Sequence, residues 1–481
     1  MIHSDLQLSG IEIARRLKSK IISCEYIVDL HIKRAKLLNH KINAIVKDRF
    51  NFALQDAKKC DTIFKEDREN LPLYFGVPCT LKENFAFKGF PQTGGLLYRK
   101  NSIATENATC VQRILDSGAI VIGTTNVSEL CMWMESNNKV YGRSNNPYDL
   151  NRIVGGSSGG EGAIIGSGAS PFGLGADIGG SIRMPAFFNG IFGHKPSGGL
   201  VPGSGQYPMA HGKALRYLTT GPLCRKAEDL KPLLKLFIGK DGLDEGVEDF
   251  QFDWNEKLKF SELEVICITE NGSITVSNEL KEAQKKVLDF LIQKGAKEKK
   301  IHFPELKESF QIWSSMLSDA GGETFEELMF QGRNMHLGFE IIRYFLGQSE
   351  FTLPGLGLAI LEKVPKMFSN DSNKYLELGM KLKSDLMENL GKNTILLYPS
   401  YSCTAPYHNE PIFKTFDWVY TAIFNVMELP STQVPLGLSK EGIPLGLQVV
   451  SNKGRDLLTI AIAEELEKEF GGWVPPNCEF L

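Results

Sequence analysis

The chain has 481 residues, 42% of them hydrophobic, and a formal net charge of −3 with Lys and Arg dispersed, so it can bury a large core, and nucleic-acid binding through bulk electrostatics is excluded. Nine cysteines scattered without a CxxC pair point to free thiols in a reducing, intracellular compartment rather than a disulfide frame or a zinc site. No run of 18 apolar residues and no secretory signal is present, so neither a transmembrane helix nor a leader is predicted.

In chain order, a short polar extension (1–7) precedes two amphipathic helices expected at 9–23 and 25–39, with Ile11, Ile13, Leu17 and Ile21 at helical spacing. A strand at 43–46, a helix at 50–60 and a buried strand over 73–81 follow. A helix at 108–117 and a strand at 119–122 repeat the alternation. After residue 196 it resumes with a strand at 263–269, a helix at 278–293, strands at 394–398 and 448–450, and a helix at 457–470. The acidic 240–256 stretch reads as a solvated loop. Helix and strand signals alternating in this way predict an α/β fold, a mixed central sheet flanked by helices on both faces, with the active loops at the strand ends.

Chemistry concentrates in 155–196. Two glycine-flanked serine clusters stand there, GGSSGG at 155–160 and DIGGSIR at 177–183. Glycine within an element costs about 0.5 to 1 kcal/mol relative to alanine, so the density favours close backbone approach over stability. A run such as Ile178-Gly179-Gly180 can aim several amides at one oxygen, which makes Ser181 a candidate nucleophile beside its own oxyanion hole. A phosphate cradle is the competing reading. Neither cluster has the spacing of a nucleotide P-loop or a dinucleotide fold, and Arg183 breaks the G-x-S-x-G of a nucleophile elbow.

The nucleophile needs a base. Of eight histidines only His194 lies near the glycines, whereas Lys82 ends the apolar 73–81 run, and Ser-Lys pairs are a known alternative to the His triad. A strand-end lysine snorkelling to solvent is the bland alternative. To act as a base Lys82 must be held neutral, lowering its pKa from about 10.4 towards 7, a change worth roughly 5 kcal/mol that burial can supply.

Lys82 in GVPxxxKE, the GGSSGGE cluster and DIGGSIRMPA, in that order and with Ser157 and Ser181 24 positions apart, resemble the amidase-signature hydrolases. The resemblance spans about 8–476, read as one amidase-signature domain with an active-site core at about 73–200. Longer stretches at 43–50, 128–133 (SELCMW), 141–148 (YGRSNNPY), 184–197 and 470–474 (FGGWV) are similar to the lipid branch of that family, the type 2 fatty-acid amide hydrolases. The resemblance implies Lys82 as base, Ser157 as a bridging serine on a cis peptide, and Ser181 as acyl nucleophile. It implies oxyanion donors at Ile178, Gly179, Gly180 and Ser181, and neither metal nor organic cofactor. Ser158 is assigned a capping or loop hydrogen bond, and Asp177 and Arg183 the orienting of the nucleophile loop. Glu161 fits the lipid branch, since glutaminyl-tRNA amidotransferase subunits tend to a small residue there.

The implied activity is hydrolysis of fatty-acid primary amides and N-acylethanolamines. Alternatives are a general amidase, a partner-dependent amidotransferase subunit releasing ammonia from glutamine, or an idle scaffold. The segment 329–368 is read either as helical core or as an acyl channel and membrane-facing cap; Cys131, Met132 and Met134 are read as acyl-pocket lining or as core. Members of the lipid branch often carry an N-terminal membrane anchor before this point, so the expectation is a shortened chain or peripheral contact with a membrane or lipid droplet. A homodimer is left open.

Overall fold

The computed structural model describes residues 2–66, 70–362 and 372–477; residues 363–368 of the expected cap, and Cys478, lie outside them. Its strands are β1 Ile45–Asp48, β2 Pro78–Lys82, β3 Ile120–Thr125, β4 Asn137–Asn138, β5 Gly142–Arg143, β6 Phe172–Asp177, β7 Phe192–Lys195, β8 Thr219–Cys224, β9 Glu264–Cys267, β10 Lys297–Glu298, β11 Thr394–Tyr398, β12 Ser431–Leu438 and β13 Pro444–Ser451. All but the β4–β5 hairpin join one eleven-stranded sheet in the order β1-β3-β2-β6-β8-β7-β12-β13-β11-β9-β10.

The sheet is mixed: β3, β2 and β6 run parallel, as do β11, β9 and β10, while the strands between pair antiparallel. Side chains alternate between faces along a strand, and here the alternation feeds two cores. Ile395 and Leu397 of β11 and Val449 of β13 enter one apolar cluster, whereas Leu396, Tyr398 and Val450 enter the other. Both faces are therefore covered, as a sheet with parallel segments requires.

The helices expected near the N-terminus are α1 Gly10–Lys18, α2 Cys24–Ile42 and α3 Phe50–Lys65. The expected 9–23 helix stops at Lys18 because the chain turns through Lys20 at φ 56, and α2 ends where Asn43 takes φ 44, a left-handed cap that Asn tolerates. The expected strand 73–81 is shorter, starting only at Pro78, because Gly76 takes φ +82 and closes a turn. Next come α4 Thr109–Asp116, α5 Gly159–Gly166 and α6 Arg183–Phe188. The last two, short and fully buried, begin at the ends of the two serine clusters, at Gly159 and Arg183.

A smaller third apolar cluster gathers Phe325, Met329, Phe330, Leu337, Phe351 and Leu356 with Leu96 and Leu130. It joins the helices Phe325–Phe330, Leu337–Phe345 and Leu353–Leu361 to the loops beside the parallel strand ends. The described part of the expected cap segment is thus a layer with its own core. Its outer side leaves Phe339, Ile342, Phe345 and Leu346 more than half exposed. Among the described residues no helix is long and apolar enough to cross a membrane.

Candidate active site

The site forms at the carboxyl ends of β2, β3 and β6, where an open sheet of this kind presents its loops. Lys82 is the last residue of β2, in register with Thr125, the last of β3, and β6 ends at Asp177. The first serine cluster is the turn into α5 and the second the turn from β6 into α6. Lys82, Ser157 and Ser181 are all buried, and the Lys82 Nζ donates to Ser157 Oγ at 2.8 Å. Its other contact is a long one, 3.5 Å to the Ala176 carbonyl. The Gly156–Ser157 peptide bond is cis. The two serine turns touch directly, the Ser158 amide donating to the Ser181 carbonyl at 3.2 Å.

Burial pulls the Lys82 ammonium below its ordinary pKa, against the opposing pull of the Cys131 thiol, Asp177, Glu161 and Glu83. A buried lysine with one hydroxyl partner is suited to accept a proton. Glu161 opposes this less than a fully ionised carboxylate would. Its carboxyl takes the hydroxyls of Thr80, two residues before Lys82 on β2, and of Thr125, opposite Lys82 on β3, at 2.7 and 2.9 Å, and burial pushes it up to about 8. At neutral pH it is largely protonated and adds little negative charge to hold the ammonium.

The Asp177 carboxylate organises the nucleophile turn. It accepts the amides of Gly180 at 2.6 Å and Ile182 at 3.0 Å, and Arg183 through Nε at 3.0 Å and Nη2 at 2.9 Å. Burial alone would raise Asp177, but the Arg183 guanidinium holds its carboxyl well below the usual range. Arg183 also donates to Asn425 Oδ1 at 2.6 Å and Gln448 Oε1 at 2.9 Å. The Gly180 amide therefore faces Asp177 rather than an open oxyanion position. Gly180 itself has φ +120, and a side chain there would collide with Thr421 Oγ1, so only glycine serves. Ser158 Oγ donates to the Ala176 carbonyl at 3.4 Å, a loop contact.

Cys131 ends a short turn in which it and Leu130 both take positive φ, and Met132 follows it. The Cys131 thiol lies beside Lys82 and Ser157; burial pushes it up and the Lys82 charge pulls it down. Met132 packs against the cap cluster, while Met134 belongs to the core under the sheet. The turn is held from below by Glu83, which accepts the amides of Thr93 and Gly94 at 2.6 and 3.1 Å and the Tyr141 hydroxyl at 2.8 Å; the Gly94 carbonyl in turn accepts from the Leu130 amide at 2.8 Å. His194 stands apart, bound to Thr432 at 2.8 Å and Asp456 at 3.2 Å in the core.

The amidase family matches residues 26–460. The chain belongs to the amidase family. It is 44% identical to fatty-acid amide hydrolase 2-A of Danio rerio, over 98% of this chain and 90% of that protein. To fatty-acid amide hydrolase 2 of Homo sapiens it is 42% identical, over 98% of this chain and 91% of that protein. Among solved structures, one titled fatty acid amide hydrolase superposes at a TM-score of 0.77 with 21% identity, covering 98% of this chain and 86% of that one. The amidase thus shares its sheet and layers with an enzyme of low sequence identity.

Sequence reasoning reached Lys82, both serine turns, Asp177 and Arg183 because they lie in dense local motifs. It missed Glu83, and with it Glu129, Trp313, Thr421, Asn425 and Gln448, which reach the site from elements distant in sequence. Only Glu83, adjacent to Lys82, and Glu129, within SELCMW at 128–133, carried a local signal.

Proposed function

We propose that this amidase hydrolyses fatty-acid amides, both primary amides and N-acylethanolamines, to a fatty acid and an amine through an ester on Ser181. The identity of 42 to 44% to fatty-acid amide hydrolase 2 proteins across the chain supports the substrate class. One observation carries the chemistry: a buried lysine of lowered pKa, 2.8 Å from a serine hydroxyl, at the turn that touches the Ser181 turn.

In acylation the Ser181 Oγ attacks the amide carbonyl carbon, its proton passes to Ser157 Oγ, and the Ser157 proton passes to neutral Lys82 Nζ. The carbonyl oxygen becomes an oxyanion received by the backbone amides of Ile178, Gly179 and Ser181, the Gly180 amide being held by Asp177. As the C–N bond breaks, Lys82 returns its proton through Ser157 to the departing nitrogen, which leaves as neutral amine. Water then adds to the ester and loses its proton along the same path to Lys82, which returns it through Ser157 to the Ser181 Oγ as that oxygen departs and the fatty acid forms.

The exposed apolar side of the helix Leu337–Phe345 supports docking on a membrane or lipid-droplet surface, where such substrates partition. The test is the hydrolysis of primary amides of increasing acyl length, with Ser181→Ala protein as blank. A specificity constant that rises with chain length is the expected result. A flat or short-chain profile argues for a general amidase, and turnover unchanged by Ser181→Ala removes the mechanism.

A further inference from the structure

The geometry points to Trp313, on the helix Ser309–Asp319, as a positioning residue that aims the oxyanion-binding amide of Gly179. This rests on the acyl-transfer reading above and names a residue outside the serine clusters and the lysine strand.

A trans peptide carries its carbonyl and its N–H on opposite sides, so whatever anchors a carbonyl also sets the direction of the next amide. Along the nucleophile turn every carbonyl is anchored to protein. The Asp177 carbonyl accepts from Asn425 Nδ2 at 2.8 Å and Thr219 Oγ1 at 3.3 Å. The Ile178 carbonyl accepts from the Trp313 indole Nε1 at 3.1 Å. The Gly179 carbonyl accepts from Thr421 Oγ1 at 2.8 Å, and the Gly180 carbonyl from the Met184 amide at 2.8 Å. The rule can be checked at one unit: with the Gly179 carbonyl turned to Thr421, the Gly180 amide points the other way, into Asp177 at 2.6 Å. By the same geometry the Trp313 anchor turns the Gly179 amide away from the helix Ser309–Asp319.

The indole is itself fixed. Its ring meets Trp418 edge to face, with centroids 4.6 Å apart, and the Trp418 Nε1 is tied to the Thr415 carbonyl at 2.7 Å. The Trp418 ring also backs Gly179, where a side chain would meet it at 3.4 Å. Neighbours Ile312 and Met316 are buried in the core, which orients the helix. The Ile178–Gly179 peptide is thus clamped by one indole N–H and backed by a second indole, and of the five donors on these four carbonyls Trp313 alone comes from the 309–319 helix. A peptide flip, which a glycine at 179 makes inexpensive, is what this hydrogen bond opposes.

The test is Trp313→Phe, which keeps an aromatic ring and removes the N–H. If the indole aims the amide, kcat falls by about ten- to a hundredfold, below the loss for deleting an oxyanion donor outright, while KM stays within about twofold. The affinity for a fatty trifluoromethyl ketone, which adds Ser181 Oγ to its carbonyl and leaves an alkoxide in the same position, falls by the same factor. An unchanged kcat, a rise confined to KM, or a kcat loss without weaker ketone binding each overturns the inference. Replacing Trp313 by its benzothienyl isostere, sulfur for N–H, gives the same readout if Trp313→Phe does not fold. Failure of the acyl-transfer reading is separable, because it appears in the unsubstituted protein as absent Ser181-dependent turnover.

Discussion

Thr352 donates both its backbone N–H, at 3.0 Å, and its hydroxyl, at 2.8 Å, to one carboxylate oxygen of Glu129. Thr352 caps the helix Leu353–Leu361, and Glu129 begins the turn that ends at Cys131. One buried carboxyl therefore fastens the cap layer to the wall of the active site. Its neighbour Gly355 leaves no room for a side chain against that carboxyl, so the fit is close on both sides.

Burial pushes the Glu129 carboxyl up to about 7. An acid whose folded pKa is raised holds its proton longer in the folded state. Stability therefore falls as pH rises from about 4.5 to about 7 and is level above, a change on the order of 3 kcal/mol. Glu129→Gln keeps an acceptor for Thr352 and removes the titration. The protection of amides in 353–361, after division by their intrinsic hydroxide-catalysed exchange rates, is expected to be lower at pH 8 than at pH 5 in the unsubstituted protein and to lose that dependence in Glu129→Gln. Equal dependence in both proteins refutes the latch.

Lys82 must be neutral to act, and burial lowers its pKa, so the specificity constant should climb as pH rises through that lowered value and be lost below it. Lys82→Ala should slow acylation by about 10²- to 10⁴-fold and leave a residual rate that grows steadily with hydroxide. Stopped-flow acylation with amide and ester pairs across pH measures this. A Lys82→Ala profile parallel to that of the unsubstituted protein would falsify the base assignment.

Asp177 is held ionised by Arg183 against its burial. Such a depressed carboxyl contributes stability above its ordinary pKa of about 4 and loses it as pH falls through the folded value. Asp177→Asn leaves Arg183, with no exposed surface, short of its counter-charge, and should destabilise the fold by about 3 to 5 kcal/mol. Urea denaturation at pH 7 would measure it; a loss under 1 kcal/mol would show that Asn425 and Gln448 suffice.

Phe345 and Phe339 are 78% and 69% exposed on one helix. The double variant F339D/F345D should abolish co-flotation with neutral phospholipid vesicles while leaving turnover of a short, water-soluble anilide intact. Flotation equal to that of the unsubstituted protein would place membrane contact elsewhere.

The readable parts of this sequence were those whose signal is local. Helix 278–293 and strand 394–398 match their observed bounds, Asn278–Gln293 and Thr394–Tyr398, because periodicity runs through them unbroken. The strands β6, β8 and β12 carry glycines or prolines in FGLGAD, TTGPLC and STQVPLGL, which suppress strand propensity while the surrounding sheet enforces it. The helix α5, GGEGAIIG, carries no helical signal in its sequence. It forms because Gly160 and Gly162 let its backbone lie directly on Asn126 and Pro185, a gain of packing invisible to propensity. Trp313 and Thr421 had no motif at all; their meaning exists only once the nucleophile turn is folded against them.

The lysine and both serines arise within a single span of 100 residues, from Lys82 to Ser181, whereas the cap layer and the indole that faces Ile178 belong to a later part of the chain. The reacting groups and the layer packed beside them are therefore inherited on separate segments. A chimaera that keeps the first and exchanges 309–361 should alter which amides are cut without altering how, provided the incoming helix brings an N–H donor to the place of Trp313.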